Sequence, residues 1–170
     1  MASFGERSRS RMIGVHTDLC HVAEEVVKDY DCTIPFNGGH RTKEIQNGLY
    51  PTYSKKKWPY SYHNCTAPRI TPGGFILFGS SPVSLAIDLV PYYKTEPHID
   101  WNDTEGFYHF AGLVRGIARS MGVPITWGGD WDGDYDLDDQ SFYDLGHFQL
   151  DVNRDAVYMR LWQDHLNANA

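Results

Sequence analysis

Apolar residues recur at helical spacing over residues 15–30, where Leu19, Val22, Ala23, Val26 and Tyr30 share a face and Glu24, Glu25 and Lys28 lie mostly off it. The pattern predicts a first helix, with Thr17 as its N-cap. A longer stripe runs through residues 104–121, carried by Phe107, Phe110, Ala111, Val114, Ile117, Ala118 and Met121. Gly122 and Pro124 end that helix. Residues 85–90 alternate as a strand does, with Leu85, Ile87 and Leu89 on one face and Ala86, Asp88 and Val90 on the other. Shorter strands are expected over 33–36, 125–127 and 146–152, a short helix over 42–49, and a closing helix over 153–166. Asn37-Gly38-Gly39 forces a turn. Residues 51–82 hold Pro51, Pro59, Pro68, Pro72 and Pro82 with Gly73, Gly74 and Gly79, which predicts loop, save for one strand or hairpin arm over 74–79.

Helices and short strands in this order, around a long central loop, predict one α+β domain spanning 1–170. The 170 residues are enough for one core, and no repeat or linker divides them. A net charge of -7 argues against a nucleic-acid binder working through a basic surface. Acidity is concentrated: no Lys or Arg lies between Arg119 and Arg154, and Asp130, Asp132, Asp134, Asp136, Asp138, Asp139 and Asp144 crowd that stretch. Cys20, Cys32 and Cys65 show no CxxC spacing and are expected as reduced thiols, with a Cys20–Cys32 pair left open. Residues 1–14 are polar, with Arg7, Arg9 and Arg11 and no apolar h-region, so no signal peptide is expected. No apolar run approaches the ~20 residues that span a bilayer. The expectation is a soluble chain with no integral membrane segment.

Three positions stand out chemically. Asp88 lies in an apolar strand, where a carboxylate is expensive to bury unless paired or bound to a metal. Asp144-Leu145-Gly146-His147 sets a carboxylate three residues ahead of a histidine that opens an apolar strand. His63 sits in a turn-rich loop upstream of Asp88. Two imidazoles and a carboxylate would make the three protein ligands that a catalytic zinc usually takes, with a fourth position left for water, and a further carboxylate, Asp144, would be the natural base. An arginine facing the open position would stabilise the oxyanion. Spacing alone leaves a structural reading of these histidines open. His16, His21, His40, His98, His109 and His165 are read as structural or solvated.

Several segments, in this order, resemble a known family: Gly5-Glu6-Arg7-Ser8, Gly14-Val15-His16-Thr17-Asp18-Leu19, Gly39-His40-Arg41-Thr42 with Gln46, and Ser61-Tyr62-His63-Asn64. Ala86-Ile87-Asp88-Leu89-Val90-Pro91-Tyr92, Asp100-Trp101, Trp127-Gly128-Gly129-Asp130-Trp131 and Asp144-Leu145-Gly146-His147-Phe148-Gln149-Leu150 follow. Together they resemble the phage-type zinc peptidases of the D-alanyl-D-alanine carboxypeptidase (VanY-like) superfamily, nearest the L-alanyl-D-glutamate endopeptidases used as endolysins. The resemblance implies a Hedgehog/DD-peptidase-like fold, a small antiparallel sheet with flanking helices. It implies Zn²⁺ held by His63 of the SxH motif, Asp88 of AxD and His147. It also implies Asp144 as catalytic acid/base, Arg41 of GxRT steadying substrate or transition state, and Ser61 and Gln46 at the substrate.

The implied substrate is the stem peptide of bacterial peptidoglycan, cut at the L-Ala–D-Glu bond. An endolysin of this kind accumulates in the host cytoplasm and reaches the wall with a separate permeabilising protein; a virion-associated form would instead have phage partners. Two departures bear on this. His63 and Asp88 are 25 residues apart, where the family keeps the pair close, so residues 67–81 are read as an insertion, a hairpin-like flap. A gapless match would put Ser81 at the histidine position and make a pseudoenzyme. Gln149 stands where the family usually has glutamate, beside the ligands, and bears on tuning of the site.

Two rival functions follow: a non-enzymatic or weakly active virion component keeping the fold, and a zinc D,D-carboxypeptidase. The acidic run is either a solvated loop or a Ca²⁺ site through Asp132, Asp134 and Asp136, which match an EF-hand loop only in part. Lys55-Lys56-Lys57 reads as a solvated turn, with contact to anionic wall polymer or lipid headgroups as the alternative. Trp58, Tyr60 and Tyr62 belong either to the core or to the cleft wall near His63. Trp127 and Trp131 read as packing residues for the acidic loop.

Overall fold

Helices α2 (Thr17–Asp29) and α4 (Thr104–Ser120) lay their apolar stripes against one another and against a small sheet. The computed structural model describes residues 2–64, 69–70, 76–77 and 84–151. Leu19, Val22, Ala23 and Val26 of α2 are buried against Phe107, Phe110, Ala111, Val114 and Ala118 of α4. This i, i+3, i+4, i+7 spacing is what one buried helix face requires. Phe110 is fully buried, and its removal to alanine would cost about 3–5 kcal/mol. The helix boundaries differ from expectation in two details. His16, not Thr17, caps α2, its Nδ1 accepting from the Asp18 N–H, because Thr17 is already the first helical residue. Met121 falls at the C-cap of α4 and is exposed, since Gly122 at φ +72° turns the chain away.

The sheet is antiparallel, in the order β4 (Ala86–Asp88), β7 (His147–Leu150), β6 (Ile125–Trp127). Its register pairs Asp88 with His147, Ile87 with Phe148 and Ala86 with Gln149. Directly opposed residues share a face. Ile87 and Phe148 therefore enter the core, Phe148 meeting Phe110 edge-on at 6.4 Å. Asp88, His147 and Gln149 project together from the other face.

The strand expected over 85–90 is two strands. After Asp88 the chain changes partners, and β5 (Val90–Pro91) pairs instead with β1 (Cys32–Thr33), itself shorter than the expected 33–36. Every residue from Leu85 to Leu89 except Asp88 is buried, so both faces are covered and no solvent-facing period marks the switch. Helix α1 (Glu6–Arg11) was not expected. Its residues are polar, and only the flanking Phe4 and Met12 reach the core. It is tied down instead by polar contacts: Ser8 Oγ lies 3.0 Å from Thr33 Oγ1, and Arg11 Nη1 donates to Ile34 O at 2.6 Å.

Helix α3 (Lys43–Leu49) begins where Thr42 caps it, accepting from the Ile45 N–H. β2 (Arg69–Ile70) and β3 (Ile76–Leu77) pair with each other antiparallel, within the expected insertion. The rest of 67–81, Ser81 included, and the expected helix over 153–166 lie outside the described residues. Cys20 and Cys32 are free thiols. No helix among the described residues is long and apolar enough to cross a membrane.

Candidate metal centre and cleft

Strand register and one turn bring three side chains to a point. His63 Nε2 is 3.0 Å from Asp88 Oδ1 and 3.1 Å from His147 Nδ1, and His147 Nδ1 is 3.2 Å from Asp88 Oδ1. Asp88 and His147 meet because β4 and β7 pair them directly. His63 arrives from a turn in which its N–H donates to Ser61 Oγ, while Leu85 N–H donates to Tyr62 O and Arg41 N–H to His63 O. His63 is 1% exposed and His147 6%.

The partners on the far sides of these groups fix which atoms face inward. Gly39 O can only accept, so His63 Nδ1 donates to it at 2.9 Å and Nε2 is left with a lone pair. Gln149 shares a strand face with His147, and its Oε1 accepts from His147 Nε2 at 3.1 Å, which leaves Nδ1 bare. Arg41 Nη2 donates to Asp88 Oδ2, so Oδ1 is the oxygen left free. Three lone pairs therefore converge on one place, which is repulsive unless a proton or a cation sits among them. A zinc tetrahedron with bonds of ~2.0–2.1 Å has edges of about 3.3–3.4 Å. The observed triangle is close to one face of it, so the donor set fits a metal ion.

Gly39 is needed where it stands: a Cβ there would lie 1.9 Å from Arg11 O. The loop turns through Asn37 at φ +62°, as the Asn-Gly-Gly run predicts. Arg41 is anchored further by Nε donating to Asn37 O at 2.6 Å.

Ionisation follows from burial and neighbours. Burial, opposed by Asp88, pushes His63 down to about 4. Burial also works against the charged form of His147, but its hydrogen bond to Asp88 and that carboxylate's charge prevail and raise it. Burial would raise Asp88, yet the charges of His63 and Arg41 hold it well below the usual carboxylate range. Asp144 is raised by burial and then by the charge of Asp88.

An open cleft of about 770 Å³ leads to this point. Arg41, Ser61, His63, Asp144, His147 and Gln149 all line it. A second pocket of about 290 Å³ adjoins it, sharing Arg41, Tyr53 and Asp144. Tyr60 and Tyr62 prove to be cleft wall. Gln46 does not line either pocket. It is fully buried, its amide donating to Ser54 Oγ and Lys56 O, so it shapes the loop that forms one wall. The Trp131 ring lies tilted against that of His147, centres 5.4 Å apart, and donates Nε1–H to Phe142 O, while Trp127 packs in the core.

In the acidic loop the carboxylates that come together are Asp130, Asp132 and Asp134. Asp136 instead caps its own turn, accepting from Asp138 N–H. Asp130 is buried beside Arg115 Nη1 at 2.9 Å, and its Oδ1 has no hydrogen-bond partner. The Gly39 carbonyl carried no sequence signal, and Trp131, read as packing for the acidic loop, also lines the cleft beside His147.

Residues 1–151 match the family model for phage L-alanyl-D-glutamate peptidase. The L-alanyl-D-glutamate peptidase of Escherichia phage T5 is 34% identical over 68 residues, covering 38% of this chain and 48% of the relative. The aligned stretch thus spans about half of that relative's length. Among solved structures, the L-Ala D-Glu endopeptidase ChiX of Serratia marcescens superposes with a TM-score of 0.59 at 22% identity, over 91% of this chain and 92% of that one. That likeness is one of fold.

Proposed function

The chain belongs to the phage L-alanyl-D-glutamate peptidase family, and on that premise we propose that it is a zinc-dependent endopeptidase cutting the L-Ala–D-Glu bond of the peptidoglycan stem peptide. The observation that carries this reading is the meeting of three lone pairs, from His63 Nε2, Asp88 Oδ1 and His147 Nδ1, beside an open cleft. Two nitrogens and one carboxylate oxygen suit zinc, whereas calcium and magnesium prefer oxygen alone. Zinc held there supplies an acidic water and polarises the scissile carbonyl.

The rest of the chemistry belongs to side chains. Asp144 lines the same cleft, and its raised carboxyl suits a group that takes a proton from water and returns it to the leaving amine. Arg41 holds Asp88 Oδ2 and so leaves Oδ1 as the oxygen that would bind a metal; Arg41 also lines the cleft, where its charge would complement that developing on the carbonyl oxygen. Pockets on both sides of Arg41 and Asp144 leave room for substrate beyond each end of the scissile bond. That favours an endopeptidase over a carboxypeptidase. Ligands, base and arginine gathered in one open cleft favour catalysis over a purely structural role in a virion.

Calcium in this reading belongs to Asp130, Asp132 and Asp134, whose donors are oxygen alone. Calorimetric titration with Ca²⁺ tests it, and no heat in the wild-type protein would remove calcium from the account.

The main test is elemental analysis of the purified protein with mass spectrometry of digested peptidoglycan. One zinc per chain and new N-terminal D-glutamate are expected. Release of terminal D-alanine alone would make the protein a carboxypeptidase, and neither zinc nor product would sink the reading.

A further inference from the structure

The two pockets that meet at Arg41 and Asp144 differ in chemistry. The larger is lined by Lys55 and Lys56, neither of them ion-paired among the described residues, and also by Asp132 and Asp139 of the acidic loop, so a carboxylate entering it is drawn to the lysine side. Lys55 Nζ reaches across, 5.5 Å above the Phe142 ring on the opposite wall. The buried Gln46 amide holds this lysine loop by the Lys56 carbonyl, so the ammonium groups start from a fixed backbone. The smaller pocket carries no lysine. Its walls include Leu49, Val90 and Gly146, with Phe36 and Trp101 at the mouth. Trp101 is 60% exposed, yet its ring is stacked on the buried Phe107, centres 5.9 Å apart and planes 20° from parallel. One face is braced and the other is offered outward. A rigid aromatic face of this kind suits the C–H face of a sugar ring.

The proposed scissile bond has matching asymmetry. Its amine side is a glutamyl residue, which brings a carboxylate. Its acyl side is alanine, small and uncharged, and in the wall that alanine is joined to an amino sugar. Resting on the peptidase reading, we propose that the cleft binds substrate in one direction, with the D-glutamyl carboxylate at Lys55 and Lys56 and the alanyl group in the smaller pocket. The N-acetylmuramoyl ring then lies on Trp101. The catalytic domain thereby reads a glycopeptide and not only a peptide.

The experiment compares kcat/KM of the zinc-loaded enzyme on three synthetic substrates: the stem peptide, the same peptide carrying N-acetylmuramic acid, and the peptide with its D-glutamyl carboxylate amidated. The wild type is expected to prefer the sugar-bearing and the free-carboxylate forms. In Trp101→Ala the preference for sugar should fall about tenfold, through KM, and Trp101→Phe, which keeps a ring on Phe107, should recover most of it. In Lys55→Gln/Lys56→Gln the preference for the free carboxylate should fall about fivefold. Ratios that do not move, or that move in the opposite pairing, overturn the assignment. A wild type that cleaves none of the three overturns the peptidase reading beneath it, a separate result.

Discussion

Asp88 and His147 stand directly opposite each other across β4 and β7, with 3.2 Å between Asp88 Oδ1 and His147 Nδ1. A one-residue slip of that register would send both to opposite faces of the sheet. The core residues beside them, Ile87 and Phe148, hold the register, so the same hydrophobic pairing that stabilises the sheet also sets two of the three proposed ligands.

Removing the third ligand should empty the site without unfolding the sheet. His63→Ala is expected to lose zinc and to drop turnover by at least about a thousandfold. Ser81→Ala, the position a gapless family match would favour, should keep its zinc. Elemental analysis of the two variants decides between them, and the reverse result would move the ligand.

Asp144→Asn should keep zinc and lose about a hundredfold to ten-thousandfold in kcat. Because burial and Asp88 raise the Asp144 carboxyl, the acid limb of the wild-type rate profile should fall at a pH above the ordinary carboxylate value. Stopped assays across pH check this. An acid limb at or below the usual aspartate range would argue against Asp144 as the base.

Gln149→Leu takes away the acceptor of the His147 Nε2–H, and zinc affinity should weaken by about ten- to a hundredfold. Gln149→Glu replaces a neutral acceptor with a charged one and should tighten it. Competition with a chromophoric chelator measures both, and equal affinities in all three proteins would show that Gln149 does not orient the ligand.

The zinc-free protein should respond to pH in a direction set by His147. Above pH 6.5, the unperturbed histidine value, His63 is neutral in both folded and unfolded chains, since burial lowers it to about 4. His147 is raised when folded, so the stability it contributes is complete below pH 6.5 and is lost as pH rises through its folded value. Calorimetric melting of chelated protein should therefore fall over that window, while the zinc-loaded protein does not follow. A flat profile in the chelated protein would show that no proton bridges the three ligands.

Gly39→Ala should cost about 2 kcal/mol or more, because its Cβ would collide with the Arg11 carbonyl. It should also weaken zinc binding, by displacing the carbonyl that orients His63. Melting temperature and zinc content read the two effects separately.

Asp88 and His147 stood out in the sequence because a carboxylate inside an apolar strand and a histidine opening another are expensive without a partner. The structure brings both together with His63, which the resemblance, more than its turn-rich loop, singled out. The two long helices were legible from their stripes. Helix α1 was not, since side-chain hydrogen bonds, not an apolar face, secure it. The break after Asp88 escaped because both faces of that segment are buried, which erases the period-two signal. Spacing alone points to Asp136 beside Asp132 and Asp134, whereas the loop turns Asp130 inward in its place. The backbone carbonyl of Gly39 has no letter in a sequence at all.

Tyr62 and Leu85 are joined by a backbone hydrogen bond of 2.9 Å, so the chain leaves the site and comes back to it at one point. The segment between Asn64 and Ser84 supplies none of the three proposed ligands, and this bond holds its two ends together. Closing such a loop costs only about 0.6 kcal/mol more for each doubling of its length. The number of residues between Asn64 and Ser84 is thus only weakly coupled to where His63 and Asp88 stand. Residues could be gained or lost there, by drift or by an engineer's hand, at little cost to the site.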